Sequence, residues 1–361
     1  MYLHEYDNWW SFTFDTSAVM NRLAAVRVLQ GRLLGELSSI GFSLQNEAQL
    51  TNISLEIVKS SEIEGEMLNL EQVRSSVAKR LGIPTAGVVR TSRYVDGVVE
   101  MMLDATHNYS APMTDERLFG WHNVLFPTGM SGLYSIDVAK YRTHVMQVVS
   151  GPIDFETVHY QAVEPEKVSE EMARFIKWFN EDNSNDPILK AAIAHFWFVT
   201  IHPFDDGNGR IARALTEMLL SRADETSKRF YSMSNQIQID KNNYYDVLEK
   251  TQKGEGDITE WLLWFLDCLE NSIKSTNETL SSVLRKARFW ESHYEMKFNE
   301  RQKKLINMLF DGFFGKLNTS KWAKIAKCST DTALNDINDL IGKGVLKKNE
   351  EGGRSTNYEL V

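Results

Sequence analysis

Residues 201–213 read IHPFDDGNGRIAR, a short polar stretch between two apolar segments. An apolar helix candidate precedes it at about 187–200, and RIARALTEMLL (210–220) continues from it with apolar residues at helical spacing. Gly207 and Gly209 permit backbone conformations with positive φ, in which successive N–H groups converge. The start of a helix also favours negative charge. The stretch therefore predicts an anion-binding turn between two helices.

The polar side chains of this stretch suit phosphate chemistry. Arg210 and Arg213 are three residues apart, so they share a helix face and can hold phosphates with paired hydrogen bonds. Asp206 is a suitable carboxylate for Mg²⁺, which prefers one or two carboxylates together with substrate oxygens. His202 is the side chain here that exchanges a proton near neutral pH. Phe204 lies between polar positions, and we expect it to point inward and anchor the turn.

The same string resembles the core motif HxFx(D/E)GNGRxxR of the Fic family and matches it at every specified position from His202 to Arg213. The resemblance implies a helical fold that binds ATP and Mg²⁺ and transfers AMP to a hydroxyl side chain (Tyr, Thr or Ser) of a target protein or of the chain itself. It implies that His202 is the general base and that Asp206 is the Mg²⁺ ligand. The implied nucleotide-binding residues are Gly207, Asn208, Gly209, Arg210, Ile211, Ala212 and Arg213. Transfer or removal of another nucleotide or of phosphocholine needs only a different ligand pose in this site.

A second string, Ser60-Ser61-Glu62-Ile63-Glu64-Gly65, resembles the inhibitory motif (S/T)xxxE(G/N) of regulated Fic proteins. Its position before the core motif resembles the class with an N-terminal inhibitory helix, and the surrounding residues are similar to those of many bacterial members. The resemblance implies that Glu64 pairs with Arg213 and displaces the γ-phosphate from a productive position. The same carboxylate is also suited to position a water that reverses the modification, and the sequence leaves both roles open.

Two further segments are similar to ligand-contacting parts of the family. The strand-like run 144–149 and the residues after it occupy the place of a β-hairpin flap that holds the target chain, which we expect near Glu156–Tyr160. An ordinary surface hairpin is the alternative. Tyr244 and Tyr245 are placed to contact adenine or ribose, although an aromatic pair at a helix start also suits core packing.

Helical periodicity dominates the rest of the chain, so we predict a mostly α fold. The pattern predicts amphipathic helices at about 16–40, 46–64 and 70–81, followed by a break at Pro84 and Gly87. The predicted division is an N-terminal helical domain carrying the inhibitory helix (1–110), a Fic core (111–270), a connecting helix (271–298) and a winged-helix-like domain (299–361).

The C-terminal segment has its own charge and its own pattern. Residues 300–361 hold 11 Lys/Arg and 8 Asp/Glu, a charge of +3, whereas the whole chain carries -9. Three short helices precede a turn with Lys347, Lys348 and Arg354 near it, which is the order of a winged helix. A DNA-binding regulator with a nucleotide-sensing Fic domain is therefore the alternative function. The residues from 330 to 342 contain no Lys or Arg, which weakens base readout and leaves a protein partner open.

Composition sets broader limits. The 361 residues are 42% hydrophobic and 25% charged, which is typical of a folded chain long enough for two or three domains. Cys268 and Cys328 lie sixty positions apart without CxxC spacing, so we expect neither a disulfide framework nor a thiolate metal site. The first twenty residues lack a signal-peptide pattern, and no apolar run reaches the length of a membrane span. We expect a cytoplasmic protein without a membrane partner, and homodimerisation is common in the family.

Overall fold

The chain is mostly helical and divides into two compact units, Met1–Thr276 and Asn277–Val361. A computed structural model describes residues 1–38, 41–83, 89–150, 157–182, 184–310, 316–349 and 356–361. Helices account for most of these residues, and the paired strands form small two-stranded sheets. The predicted mostly α fold is therefore confirmed. The four-part division of the sequence stays a prediction, and the boundary between the two units falls inside one long helix.

The first unit contains the helices that surround residues 201–213. In chain order they are α1 (Thr16–Ser38), α2 (Phe42–Ile63), α3 (Leu70–Leu81), α4 (Arg93–His107), α5 (Asp115–Leu125), α6 (Val168–Glu181), α7 (Pro187–Ile201), α8 (Asn208–Asp224), α9 (Met233–Ile239), α10 (Lys241–Gln252) and the part of α11 (Thr259–Ser292) up to Thr276.

Helix α7 is the centre of this unit because it is apolar all round. Asp186 caps its start by accepting a hydrogen bond from the Ile188 N–H, and Pro187 stands at the first helical position. Every residue from 188 to 201 is buried, and α7 packs along α8. A helix that is hydrophobic on all faces requires partners on all faces. The turn at 202–207 therefore links two core helices and is held firmly at both ends.

The first aromatic residues of the chain form an N-terminal arm that contacts α7. A short 3₁₀ turn covers Leu3–Glu5, and Thr13 forms an isolated bridge with Asp257. Trp9 is buried, and its ring meets that of Trp197 on α7 edge to face at 6.2 Å. The arm therefore completes the aromatic packing on one side of α7.

Two small antiparallel sheets lie between α5 and α6. The first pairs β1 (Met130–Ser131) with β2 (Tyr134–Ser135), and the second pairs β3 (Gln147–Ser150) with β4 (Thr157–Gln161). In the second sheet Gln147 faces Gln161, and a bulge shifts the register between Val148 and Val149. The first sheet contacts the turn at 202–207 through Ser131, and the second contacts the end of α7 through Tyr160.

The second unit contains α12 (Glu300–Phe310), α13 (Thr319–Ala326), α14 (Thr330–Gly342), β5 (Leu346–Lys348) and β6 (Tyr358–Leu360). Its core is formed by Leu305, Ile337 and the fully buried Trp322. The predicted order of three helices and two strands agrees with these bounds, whereas the winged-helix assignment stays a prediction, and Arg354 lies outside the described residues. No described helix combines the length and apolar character that crossing a bilayer requires.

Candidate active site

His202 lies directly after the last turn of α7, in the left-handed backbone region with φ 53° and ψ 60°. Its Nδ1 is 3.2 Å from the carbonyl oxygen of Val199, which can only accept a hydrogen bond. The proton therefore resides on Nδ1, and Nε2 is the basic nitrogen. Burial lowers the pKa of His202 to about 4, although the charges of Glu64 and Asp206 act in the opposite direction. The imidazole is neutral at pH 7 and ready to accept a proton.

The turn after His202 is fixed by Phe204 and Asn208. Phe204 is fully buried, as predicted, and its ring stacks on His122 with 4.3 Å between the ring centroids. The Asn208 side chain accepts a hydrogen bond from the Phe204 N–H at 3.0 Å and donates one to the Phe204 carbonyl at 2.8 Å. His122 is a buried structural residue, because its Nδ1 accepts from the Ala139 N–H and its Nε2 therefore donates to the Asp206 carbonyl.

The glycines at the start of α8 leave room for other groups. Gly207 has φ 82° and ψ 0°, and a Cβ there would lie 2.9 Å from Cε2 of Phe126. At Gly209 a Cβ would collide with Oε1 of Glu64. The Glu64 carboxylate therefore lies against the first turn of α8, where backbone N–H groups and the helix dipole favour an anion.

The two motif arginines have different partners. Arg210 donates to the Tyr94 hydroxyl at 2.7 Å and lies 3.4 Å from Oδ1 of Asp206. Arg213 donates through Nε to the Ser60 hydroxyl at 2.8 Å, and through Nη2 to the Ser60 carbonyl at 2.7 Å and to Oε1 of Glu64 at 2.8 Å. Both guanidinium groups are buried, and each keeps one nitrogen without a hydrogen-bond partner in the structure. The side chains of the residues between them, Ile211 and Ala212, are fully buried, and nucleotide contact by these two residues stays a prediction.

Asp205 and Asp206 are neighbours but face different groups. Asp205 accepts a hydrogen bond from the Asp137 N–H at 2.9 Å and fixes the turn. Asp206 accepts hydrogen bonds from Ser131, on β1, and from the Gly207 N–H, and its side chain is 37% exposed. Among the described residues no group of three or more His, Cys, Asp or Glu side chains gathers around a metal position. A single accessible carboxylate fits an ion such as Mg²⁺ that takes its other ligands from phosphates and water.

Glu64 stands at the very end of α2, where the backbone turns sharply. The Gly65 N–H bonds the Glu62 carbonyl at 3.0 Å, and the Glu66 N–H bonds the Ser61 carbonyl at 3.0 Å. This pair of bonds is the Schellman arrangement, and Gly65 supplies its left-handed residue with φ 83°. The predicted motif allows Gly or Asn after the glutamate, and these are the residues that adopt this conformation most readily.

Replacement of Gly65 by alanine is expected to lower the free energy of unfolding by about 1–2 kcal/mol, because a Cβ disfavours positive φ. Replacement of Gly31 by alanine is the matched control. Gly31 lies inside α1, and a Cβ added there would meet no other atom within 4 Å. The same change at Gly31 should therefore raise the free energy of unfolding by about 0.5–1 kcal/mol. Urea unfolding of both variants measures the difference, and equal shifts of the same sign would contradict the left-handed role of Gly65.

Helix α2 is anchored on α9 and α10. The buried carboxylate of Glu56 accepts hydrogen bonds from the Ser232 hydroxyl at 2.8 Å, the Ser234 N–H at 2.9 Å and the Ser234 hydroxyl. Near the end of α2, Lys241 donates to the Ile63 carbonyl at 2.6 Å. These contacts hold the helix that presents Glu64 to Arg213.

Tyr244 and Tyr245 lie in the first two turns of α10 and differ in exposure. Tyr244 is buried, and its hydroxyl is 2.9 Å from Nε2 of His195. Nδ1 of His195 is 3.0 Å from the Thr216 hydroxyl, so His195 is a core histidine within the helices. Tyr245 is 38% exposed. The buried hydroxyl of Tyr244 favours the core role for that ring, and nucleotide contact by either tyrosine stays a prediction.

The predicted flap near Glu156–Tyr160 coincides in part with β4. Glu156 lies outside the described residues. Tyr160 is buried and donates to the Thr200 carbonyl on α7 at 2.7 Å, so its side chain faces the core instead of a target. Val149 and Val158 are paired across the two strands, and both are exposed, at 43% and 39%.

Three residues around the turn carry no sequence signal that identifies them. Tyr94 on α4 binds Arg210, Ser131 on β1 binds Asp206, and Arg142 donates hydrogen bonds to backbone carbonyls around His202. They lie 60 to 116 positions from the residues they contact. Spacing within the sequence cannot predict contacts at such separations.

Comparison with known proteins gives two matches to family models. Residues 112–220 match the Fic/DOC family, and residues 2–83 match a domain of unknown function, DUF4172. A protein adenylyltransferase Fic from Nematostella vectensis is 26% identical over 221 residues, covering 60% of this chain and 47% of the relative. The corresponding protein from Drosophila yakuba is 38% identical over 104 residues, covering 28% and 19%. The chain thus spans less than half the length of these relatives.

Solved structures share the fold. A Fic family protein from Desulfovibrio desulfuricans G20 aligns with a TM-score of 0.57 at 21% identity, covering 96% of this chain and 97% of that one. A Fic domain containing signaling protein from Bacteroides thetaiotaomicron aligns with a TM-score of 0.53 at 20% identity, covering 71% and 97%. The complete motif between His202 and Arg213, the helical fold around it and the family match agree, and this chain is a Fic-domain protein.

Proposed function

We propose that this chain transfers the AMP part of ATP to a hydroxyl side chain of a target protein or of itself. The observation that carries the proposal is the imidazole of His202, whose Nδ1 is bonded to the Val199 carbonyl and whose Nε2 is the basic nitrogen, beside the glycine-lined start of α8, with Arg210 and Arg213 on that helix. The names of the curated relatives, protein adenylyltransferases, support the same reaction.

The reaction is an in-line displacement at the α-phosphorus. The target hydroxyl oxygen forms a bond to that phosphorus, the bond from it to the β-phosphate oxygen breaks, and pyrophosphate leaves with the electron pair. Nε2 of His202 accepts the hydroxyl proton. Catalysis of this kind is mainly positioning and charge stabilisation. The N–H groups at the start of α8 and the guanidinium groups of Arg210 and Arg213 supply the donors.

Mg²⁺ fits the carboxylate of Asp206. The side chain is accessible, and Ser131 and the Gly207 N–H fix its orientation. When bound, the ion would neutralise phosphate charge and orient the leaving group.

We further propose that a target chain adds as a strand to the β3–β4 hairpin. The described strands β3 and β4 pair with each other alone, so no described strand occupies the outer edge at which a target strand would add its main-chain hydrogen bonds. The exposed Val149 and Val158 offer apolar contact beside these edges.

Glu64 inhibits this reaction in our proposal. Its carboxylate bonds Arg213 at 2.8 Å and lies against Gly209, where we expect a nucleotide phosphate to bind. Two anions cannot share one buried guanidinium and one helix start without strong repulsion. ATP therefore binds with its outer phosphates displaced while Glu64 is in place.

The test uses two labels. With Glu64 replaced by glycine, label from ATP labelled at the α-phosphate is expected on protein, whereas label at the γ-phosphate is not. Transfer of γ-label would identify phosphoryl transfer, and transfer of neither would contradict the proposed function. Other labelled nucleotides and CDP-choline in the same assay test the alternative transferred groups.

The pH dependence follows from the state of His202. Because burial lowers the pKa of this imidazole to about 4, the base is deprotonated throughout the range from pH 5.5 to 8. Protonation removes the base, so kcat/KM of the Glu64→Gly variant is expected to fall only as the pH approaches 4. An acidic limb of kcat/KM that is centred near pH 6.5 would contradict this environment of the ring.

Helix α14 in the second unit gives DNA binding little support. Asp331 lies in its first turn, and Lys343, which follows its last residue, bonds Asp339 at 2.5 Å. Leu334 is 38% exposed between them. Acidic groups repel DNA phosphates, so a protein surface is the partner that this helix fits better.

A further inference from the structure

Arg142 is a buried cation that binds only backbone carbonyls among the described residues. Its side chain is 1% exposed. Nε donates to the His202 carbonyl at 2.7 Å, Nη1 to the His144 carbonyl at 2.8 Å, and Nη2 to the carbonyls of Val163 and Ile201, the latter at 3.3 Å. A planar guanidinium with five N–H groups can serve four acceptors at once, whereas a lysine ammonium cannot.

These four carbonyls belong to two different parts of the site. Ile201 and His202 end α7 and carry the base, and the negative end of the α7 dipole points at this cation. His144 precedes β3 by three residues, and Val163 follows β4 by two, so they flank the two ends of the β3–β4 hairpin in the chain. Arg142 thus joins the backbone of the base directly to both ends of the β3–β4 hairpin.

The backbone of Arg142 and the neighbouring Tyr160 reinforce this junction. The Arg142 N–H donates to the Pro203 carbonyl at 2.9 Å, and the Tyr160 hydroxyl donates to the Thr200 carbonyl at 2.7 Å. His202 itself is in a left-handed conformation that few residues adopt without support. The bond from Arg142 to its carbonyl helps to fix that conformation and hence the direction of the imidazole.

We propose that Arg142 is a positioning residue that aligns the base His202 with a hydroxyl presented on the hairpin. This inference rests on the proposed AMP transfer. A displacement of about 1 Å between reacting groups can reduce a rate a hundredfold. Loss of the hydrogen bonds of Arg142 therefore lowers the rate of the chemical step. Arg142 does not contact Arg210, Arg213 or the start of α8 in any described hydrogen bond, so ATP binding is retained.

The experiment compares Arg142→Lys and Arg142→Ala in the Glu64→Gly background. We expect kcat to fall at least about tenfold in both variants, while the Kd for ATP changes less than about twofold. Guanidinium ion at a non-denaturing concentration should restore part of the activity of Arg142→Ala and none of that of Arg142→Lys, because only the alanine leaves space for it.

Arg222→Ala is the matched control. Arg222 also donates to backbone carbonyls alone in the described structure, those of Tyr109 and Ala111, but from the far end of α8. The Arg222→Ala change should leave kcat within about twofold of the value of the Glu64→Gly variant. Equal losses in Arg222→Ala and Arg142→Ala, full activity of Arg142→Lys, or loss of ATP binding in the Arg142 variants would each overturn the positioning role.

A second readout separates this inference from the proposed function. If Glu64→Gly with Arg142 intact transfers no α-label, the proposed AMP transfer is wrong. The effect of Arg142 on the position of the His202 imidazole is then measured directly. In ¹⁵N NMR of the full chain, Arg142→Lys is expected to change the His202 titration and ring shifts, while Arg222→Ala leaves them unchanged. Unaltered His202 signals in Arg142→Lys would contradict the inference independently of any catalytic result.

Discussion

Replacement of Glu64 by glycine is expected to raise the rate of transfer from α-labelled ATP about thirtyfold, which corresponds to about 2 kcal/mol. Removing one partner of a fully buried ion pair destabilises the structure that contains it by roughly 3–5 kcal/mol. The value of about 2 kcal/mol for this pair is smaller because the pair is partly exposed. Arg213 is 2% exposed here, and the Glu64 side chain is 29% exposed. The released Arg213 and the vacated space at Gly209 then receive the phosphates. Initial rates of protein labelling at saturating ATP measure the effect.

Glutamine at position 64 separates charge from shape. Glu64→Gln keeps the size of the side chain but removes its charge, so we expect a smaller increase in transfer than with glycine. Glu47→Gln is the matched control, since Glu47 lies on the same helix and pairs with Arg74 at 2.7 Å, far along the chain from the motif. An increase with Glu47→Gln equal to that with Glu64→Gln would mean that general loosening of α2 explains the result.

Loss of the base is expected to lower transfer at least about a hundredfold in the Glu64→Gly background. His202→Ala is the simple change, but alanine at φ 53° also strains the backbone. His202→Asn avoids this difficulty, because asparagine adopts left-handed backbone readily and has no basic nitrogen. Both variants should bind ATP with an unchanged Kd, measured by calorimetry, and both should lose labelling.

His107→Ala is the histidine control for this experiment. His107 ends α4 and is exposed, with its Nδ1 3.3 Å from the neighbouring Thr106 hydroxyl. Its removal should not change the labelling rate. Retention of more than about a tenth of the activity in His202→Asn would exclude this imidazole as the general base.

The sequence predicts the parts of the site that lie close together in the chain. Residues 202–213 form one turn and one helix start, so their spacing determines most of their geometry. The helix bounds near 16–40, 46–64 and 70–81 also agree closely with α1, α2 and α3. The family resemblance predicts the pairing of Glu64 with Arg213, and the two side chains lie 2.8 Å apart.

Other parts of the site depend on tertiary packing and have no local signature. Helix α4 begins at Arg93, after the break at Pro84 and Gly87, and no helix is predicted there, although it supplies Tyr94 to Arg210. Arg142 stands in a loop without periodicity, and its role depends on four carbonyls from three other places in the chain. Likewise, the resemblance that predicts a hairpin flap near Glu156–Tyr160 does not reveal that the Tyr160 ring faces α7.

In the proposed inhibition, the position of Glu64 directly after the last residue of the anchored helix α2 determines how the protein can be switched. Glu56 holds α2 about two turns upstream of Glu64, so opening needs only the final turn to fray, with loss of the Lys241 and Arg213 contacts. A gap of about 2 kcal/mol leaves the open form populated at about 3%. A ligand or partner that binds the open form about thirtyfold more tightly would, at saturation, make the two forms equally populated. A difference in affinity of about thirtyfold is therefore enough to change the activity without displacing the whole helix.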